Sequence, residues 1–432
     1  MQEFSAQAFE EEALEIFKEL VRINTSNPPG GETSAAHYLM GVLEAHGIES
    51  RCLERAPGRG NLIVRMSGGE RPPLILLSHL DVVPAEAARW QHDPFSAEEA
   101  GGAIWGRGTL DTKQLTAMQV AALLRLNHFR ERLNRDVYLV ASADEENGSA
   151  LGMEWLAGEL PELLQPALIV SEGGGFPITS NGRDFLLCAA GEKGVCRVRI
   201  TAAGSAGHAS SPPADQAMFR IARALRSLCS YNFEEKYSRV TRNFLIETGL
   251  NPADPEIHCS TLGALTQHML VHHWVINEIR AGSASNVIPG SAQADLELRI
   301  LPGTSQTEIE SLLERVFGDC DVEWQIVRFE EGYESALQCD LLEAFQRASR
   351  SFGFSGQVLP FLALGRTDGR FLASRGTSIY GFSPTLLEDS FPEVLKRVHG
   401  VDERIAVESF RFGARVLAQA LLDVCVENGE AS

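Results

Sequence analysis

The chain has 432 residues and carries 38 Lys and Arg against 58 Asp and Glu, a net charge of −20. Its 44% hydrophobic and 22% charged residues form a globular mixture and exclude a wholly disordered chain, and the acidic balance argues against a general nucleic-acid binder, which needs a basic face. A single hydrophobic core rarely grows past roughly 300 residues, so two domains are expected.

Residues 9–23 space Phe9, Leu14, Phe17, Leu20, Val21 and Ile23 near the helical period, and Asn27-Pro28-Pro29-Gly30-Gly31 stops that helix. A second helix is predicted over 34–46, ending at Gly47. Short apolar runs then alternate with helical stretches. Strands are predicted at 61–66, 74–77, 137–140 and 167–170, with helices at 112–126 and 151–160. Continuous apolar strands between helices predict an α/β layer whose mostly parallel sheet is covered on both faces.

The texture changes near Gly191. Strand 195–201 alternates, helix 216–228 follows, and strand 292–300 puts Asp295, Glu297 and Arg299 on one face and Leu296, Leu298 and Ile300 on the other. That pattern predicts a one-sided sheet backed by helices, an α+β unit, to which a helix at 306–317 and a strand at 322–327 can be added. From Gly332 the first texture returns, with helices at 341–352 and 406–424 and a strand at 378–382. The middle unit therefore reads as an insertion in a discontinuous first domain: 1–190, then 191–330 inserted, then 331–432.

No run approaches the roughly 18–20 apolar residues of a membrane span, so no membrane partner is expected. The opening Met-Gln-Glu-Phe and the acids Glu10, Glu11 and Glu12 lack the features of a secretion signal. The eight cysteines are scattered without a Cys-x-x-Cys pair and read as reduced thiols of a cytoplasmic protein.

Three apolar strands run straight into metal-type ligands: into Ser78-His79-Leu80-Asp81, into Asp144-Glu145-Glu146, and into Ser171-Glu172-Gly173. In open α/β sheets, ligands bind beyond the carboxyl ends of the strands. A further acid, Asp111, lies in a loop at a helix start. If the strands are neighbours, one imidazole and several carboxylates share a crevice, and only a cation would keep so many acids ionised together. Imidazole with carboxylate and no thiolate suits zinc, with cobalt or manganese as alternatives. Two metals roughly 3.5–4 Å apart are common in hydrolases. The Glu145-Glu146 pair could supply both a base and a ligand. Taken singly, each acid also has an ordinary reading, such as a charge pair at a helix N-terminus.

These motifs, with Gly106-Arg107-Gly108-Thr109-Leu110-Asp111-Thr112-Lys113, Gly207-His208-Ala209, Asn286-Val287-Ile288-Pro289, Arg299-Ile300-Leu301-Pro302, Thr367-Asp368-Gly369-Arg370 and His399-Gly400-Val401-Asp402-Glu403, resemble in order those of the M20 metallopeptidase family. That family includes aminoacylases, glutamate carboxypeptidases, carboxypeptidase S and succinyl-diaminopimelate desuccinylase. The resemblance implies a catalytic domain carrying a ferredoxin-like lid and dimerisation domain. It implies two zinc ions, one held by His79 and Glu172, the other by Glu146 and His399, with Asp111 bridging. Asp81 would accept the other ring N–H of His79, Glu145 would be the general base and then acid, and the Asp111–Thr112 peptide would be cis. His208 would reach the active site of a partner subunit and stabilise the oxyanion, which implies a homodimer. Asn286 and Arg299 match positions that bind the substrate's carboxylate end. Arg299 could equally pair with Glu297 or Asp295. Arg370 is a second carboxylate-binding candidate, since guanidinium groups clamp carboxylates. His399 is singled out by the resemblance alone; His258, His268, His272 and His273 read as surface or core.

Three departures bear on substrate choice: Gly365-Arg366 where the family has Gly-Gly, Gln114 where Gly is common, and Asn147-Gly148 for a small-residue pair. Glu172, rather than Asp, and Tyr380-Gly381-Phe382-Ser383-Pro384 resemble the aminoacylase and carboxypeptidase S branch. The expected reaction is cleavage of an amide next to a free carboxylate, releasing an amino acid from an N-acyl amino acid or short peptide. A dipeptidase or a desuccinylase-type deacylase is the alternative within the family, and a non-catalytic metal-bound binding protein the alternative outside it. A dinucleotide-binding oxidoreductase ranks last, because no Gly-x-Gly-x-x-Gly joins a strand to a helix.

Overall fold

In the computed structural model, which describes residues 5–254, 261–374 and 376–427, the larger sheet has nine strands. The strands expected at 61–66 and 74–77 are two arms of one strand, Gly60–His79, folded back around Arg135–Ser142. The register records the reversal: Leu62 faces Ala141 and Met66 faces Val137, whereas Leu74 faces Val137 and His79 faces Ser142. Arg135–Ser142, the 74–79 arm, Leu168–Ser171 and Ser378–Gly381 are then four parallel neighbours.

Both flanks depart from the expected parallel pattern. Ser50–Glu54 is antiparallel to the first arm. Arg183–Glu192 is antiparallel to Ser378–Gly381, Pro177–Ser180 and Tyr333–Glu334, and parallel only to Gln357–Ala363. The sheet is mixed rather than mostly parallel, and the cause is connection length. Residues 55–59 and 181–182 are too few for a crossover, so each forces an antiparallel neighbour. The second is a two-residue hairpin in which Asn181 (φ 51°) and Gly182 (φ 71°) are both left-handed.

Successive residues of the central strands enter opposite cores. Leu74 and Leu76 face one, Ile75 and Leu77 the other, which is why the run is wholly apolar. Helix Lys113–Asn127 has 13 of its 15 residues buried because it packs on the sheet and against helices Ala6–Arg22 and Val407–Cys425. The outer two helices meet where Phe17 stacks on Phe410 at 4.6 Å. Gln119, deep in this layer, donates to the Leu77 and Val170 carbonyls, each at 3.1 Å, and so ties two strand ends together.

The second sheet is antiparallel, in the order His273–Ala281, Ser291–Ile300, Gly194–Ala203, Glu323–Glu330. With helices Ala217–Ser230 and Gln306–Phe317 it forms a strand–helix–strand–strand–helix–strand run of the ferredoxin-like kind. Val198, Ile200, Leu296 and Leu298 share a separate core with Ile221 and Leu313. A capping box between Ser305 and Glu308 starts the second helix. Two helices within 191–330 leave this unit. Val240 and Phe244 of Arg239–Thr248, and Leu265 and Met269 of Thr261–Leu270, belong to the larger core. No helix among the described residues is long and apolar enough to cross a membrane.

Candidate active site

Three neighbouring parallel strands deliver the ligands expected of them. His79 ends the 74–79 arm, Glu145 and Glu146 follow Arg135–Ser142, and Glu172 follows Leu168–Ser171. Asp111 enters from the loop before helix Lys113–Asn127, and its peptide bond to Thr112 is cis. His399 enters from the loop after helix Phe391–Arg397, in a left-handed conformation (φ 58°).

His79 Nε2 lies 3.1 Å from Asp111 Oδ1 and 3.4 Å from Glu172 Oε2. His399 Nε2 lies 3.1 Å from Asp111 Oδ2 and 3.2 Å from Glu146 Oε2. The two oxygens of Asp111 therefore face two different imidazoles. Donor atoms of His79, Asp111 and Glu146 lie within 4.8 Å of one another, as do those of His79, Glu145 and Glu172.

The electrostatics follow from burial and crowding. Burial pushes Glu145 well above the usual carboxylate range, and Glu172, Asp368 and Glu146 push the same way. Burial also pushes Glu172 up to about 7, against the pull of His79. Burial disfavours a charged His79, but Glu172, Asp111 and Asp81 outweigh it and raise its proton affinity. Hydrogen bonds to the carboxylates of Asp111 and Glu146 raise His399 to about 10. These acids and imidazoles are bidding for the same few protons, a conflict that a divalent cation would remove. Glu146 Oε1 is buried without a hydrogen-bond partner. Nitrogen and carboxylate donors with no thiolate among them suit zinc or another first-row divalent ion. The residues present fit such ions.

The second nitrogen of His79 turns to Asp81. Nδ1 is 3.0 Å from the Asp81 backbone oxygen and 3.4 Å from its carboxylate. The carboxylate has further partners: it accepts Asn27 Nδ2 at 2.8 Å and the backbone N–H groups of Glu145 and Glu146, each at 3.1 Å. Asp81 thus fixes the turn carrying both glutamates. Asp144 starts that turn with φ 68° and is held there by Asn27 and Arg59, each at 3.0 Å, with Glu32 pairing Arg59 from behind at 2.7 Å. Nothing in the sequence pattern pointed to Asn27, Glu32 or Arg59.

A second buried clasp joins the loops of Asp111 and His399. Glu403 accepts Arg107 Nη1 at 2.5 Å and the N–H groups of Gly108 (3.2 Å), Leu110 (2.7 Å) and Asp111 (3.3 Å), and Arg107 Nη2 donates to the Gly400 carbonyl at 2.9 Å. Removing one member of a buried pair strands the other charge. Arg107→Ala is expected to cost about 3–5 kcal/mol of stability in denaturant unfolding. A loss below about 1 kcal/mol would show that the clasp holds nothing. Gln114 serves the same loop, donating to the Leu110 carbonyl at 2.7 Å.

Around the glutamates, Asp368 accepts the hydroxyls of Ser142 and Ser149, each at 2.5 Å. Ser149 also accepts Arg370 Nη2 at 3.1 Å, and Arg370 Nη1 lies 3.8 Å from Glu145 Oε1. Arg370 is thus half-buried beside the expected base. Arg366 is paired with Glu330 of the second sheet.

The remaining candidates sit on the second sheet. Arg299 Nε pairs with Glu297 at 2.8 Å, while its Nη1 is buried without a partner. His208 is exposed, with Nδ1 2.8 Å from Ser210 Oγ. Its short strand Gly207–His208 pairs with Val287–Ile288, and the Asn286 carbonyl accepts the Ala209 N–H at 3.1 Å. His208 and Asn286 are thus brought together. His272 is buried and accepts the Leu301 N–H, and burial lowers it to about 4. His273 is half-buried at a like value, and His268 is exposed. His258 lies outside the described residues.

A cavity of about 460 Å³ lies against the cluster, with Asp111, Thr112, Glu172 and Gly173 on its lining.

The crevice of nitrogen and carboxylate donors at the carboxyl ends of parallel strands has the make-up of a divalent-metal site. The chain belongs to Peptidase family M20/M25/M40, which matches residues 75–423. N-fatty-acyl-amino acid synthase/hydrolase PM20D1 of Homo sapiens is 28% identical over 363 residues, 78% of this chain and 71% of that protein. Aminoacylase-1 of Mus musculus is 26% identical over 438 residues, 98% of each chain. In structure the chain is similar to the M20 family metallo-carboxypeptidase Sso-CP2 of Sulfolobus solfataricus, with a TM-score of 0.74, 16% identity, and coverage of 95% of this chain and 98% of that one. At that identity the likeness is one of fold.

Proposed function

We propose that the protein hydrolyses an amide or peptide bond next to a free carboxylate, releasing an amino acid from an N-acyl amino acid or short peptide, with two zinc ions as cofactors. The observation that carries this reading is Asp111, whose two oxygens face His79 and His399 separately. His79 and Glu172 would hold one ion, Glu146 and His399 the other, and Asp111 both. Two similar proteins bear names that join an acyl group to an amino acid or denote an aminoacylase.

Bound divalent ions supply Lewis acidity for a carbonyl and make a water easier to deprotonate. The other work belongs to the chain. Glu145 takes the proton of the attacking water and returns it to the leaving nitrogen, a transfer that needs a carboxylate held in place. Asp81 provides that hold through the backbone of the turn. Arg299, Asn286 and Arg370 bind the free carboxylate. The second sheet with helices Ala217–Ser230 and Gln306–Phe317 acts as a lid and dimerisation domain, and His208 from a partner subunit donates to the oxyanion. The scattered free cysteines fit a cytoplasmic setting.

A panel of N-acyl amino acids and dipeptides with added zinc or cobalt tests the reaction. Inertness across the panel refutes it and favours a metal-bound binding protein. For the dimer, His208→Ala is expected to lower kcat by about 10²-fold or more, as loss of an oxyanion donor does, in a protein that sediments as a dimer. A fully active monomer overturns the cross-subunit role.

A further inference from the structure

We infer that the cavity beside Asp111 and Glu172 receives the acyl arm of the substrate and selects long, unbranched apolar acyl groups over acetyl. This inference rests on the amide-hydrolase reading above. An amide held at the ligand cluster has two arms, and the cavity begins at that cluster, so one arm must enter it.

The walls decide which arm. Leu110, Phe176, Leu265, Phe361, Phe391 and Val394 line the cavity, and all are buried. A carboxylate would need a cation there. The one guanidinium on the lining, Arg366, is already paired with Glu330. His268, also on the lining, is exposed, with Nδ1 on the Ala264 carbonyl at 2.7 Å. The cations left for a carboxylate, Arg299 with its unpartnered Nη1 and Arg370 beside Glu145, do not line this cavity. The charged arm therefore points away and the uncharged arm points in.

The size and the exit set the preference. About 460 Å³ is within the range of small-ligand pockets, roughly 300–1,000 Å³, and far exceeds an acetyl group. The apolar residues named above are buried, whereas Leu395, also on the lining, is 53% exposed, so the cavity reaches solvent and a long chain can run out of it. One wall, helix Thr261–Leu270, comes from the inserted stretch of sequence but packs in the larger core. The pocket is thus built on the unit that carries the ligand cluster. Arg366, the departure from the family's glycine, lines the cavity with its guanidinium paired to Glu330.

The test compares N-acetyl, N-hexanoyl, N-decanoyl and N-tetradecanoyl derivatives of glycine and of L-phenylalanine. Each buried methylene is expected to raise kcat/KM about fourfold, the equivalent of ~0.8 kcal/mol, until the chain reaches solvent and the gain levels off. Val394→Trp should lower the decanoyl-to-acetyl ratio of kcat/KM by about tenfold or more. Ala264→Phe, at an exposed position of the lining helix, should act in the same direction without disturbing the core. The same compounds are titrated calorimetrically into Glu145→Gln protein. A flat dependence on acyl length, or a gain that follows the amino-acid side chain instead, overturns the inference while leaving the hydrolase reading intact. No hydrolysis, with affinity still rising along the acyl series, overturns the hydrolase reading and keeps the pocket assignment. Neither hydrolysis nor graded binding sinks both.

Discussion

Glu145→Gln is expected to lower kcat by about 10²–10⁴-fold, the usual contribution of general acid–base catalysis, while bound metal stays at the level of the unaltered protein. Glutamine keeps the shape and the backbone N–H bond to Asp81 but cannot carry a proton. The geometry leaves two roles open to this side chain, because its oxygen groups with donor atoms of His79 and Glu172 as a ligand would. Metal analysis of the variant separates them. Turnover lost with metal retained identifies a proton carrier. Turnover lost together with metal identifies a ligand, and near-normal turnover removes Glu145 from the chemistry altogether.

Exhaustive chelation is expected to abolish activity and to lower the unfolding temperature, with zinc or cobalt restoring both. Glu145, Glu172 and Asp368 are all held above their ordinary range by burial and by one another, so the ion-free site must carry protons that the loaded site releases. Metal addition should therefore acidify a weakly buffered solution. An ion present at a hundred times its Kd adds about 2.7 kcal/mol of apparent stability. Protein that is shown to be metal-free and remains fully active would refute the metal-dependent reading, as would the absence of any thermal shift on adding zinc.

The two expectations differ in what they disturb. The first removes one proton acceptor from an intact frame. The second removes the charge that makes the frame tolerable, and so it couples activity to stability. The Arg107–Glu403 clasp belongs with the second, because it positions Asp111 from behind and links that loop to the one bearing His399.

Much of this was legible in the chain. His79, Glu145, Glu146 and Glu172 stood out because each follows an apolar run directly, and a polar residue after a buried strand is delivered to the sheet's carboxyl edge. The helices around 113–126 and 407–424 were equally plain, since their apolar spacing is long and regular. Arg183–Glu192, Gln357–Ala363 and His273–Ala281 were not singled out. The last is an exposed edge strand with no buried face to impose an alternation.

What the linear order determined is which side chains sit at the ends of buried strands, because burial itself writes the apolar run that precedes them. What only tertiary structure decided is partnership between distant segments. His399 comes within 3.1 Å of Asp111 from almost 300 residues away, and no local pattern encodes that approach. The same holds for Asn27, Glu32 and Arg59 around Asp144, and for helices 239–248 and 261–270, which join the larger core from within the inserted stretch. Periodicity reports that a face is buried; the surface that buries it depends on how the whole chain packs.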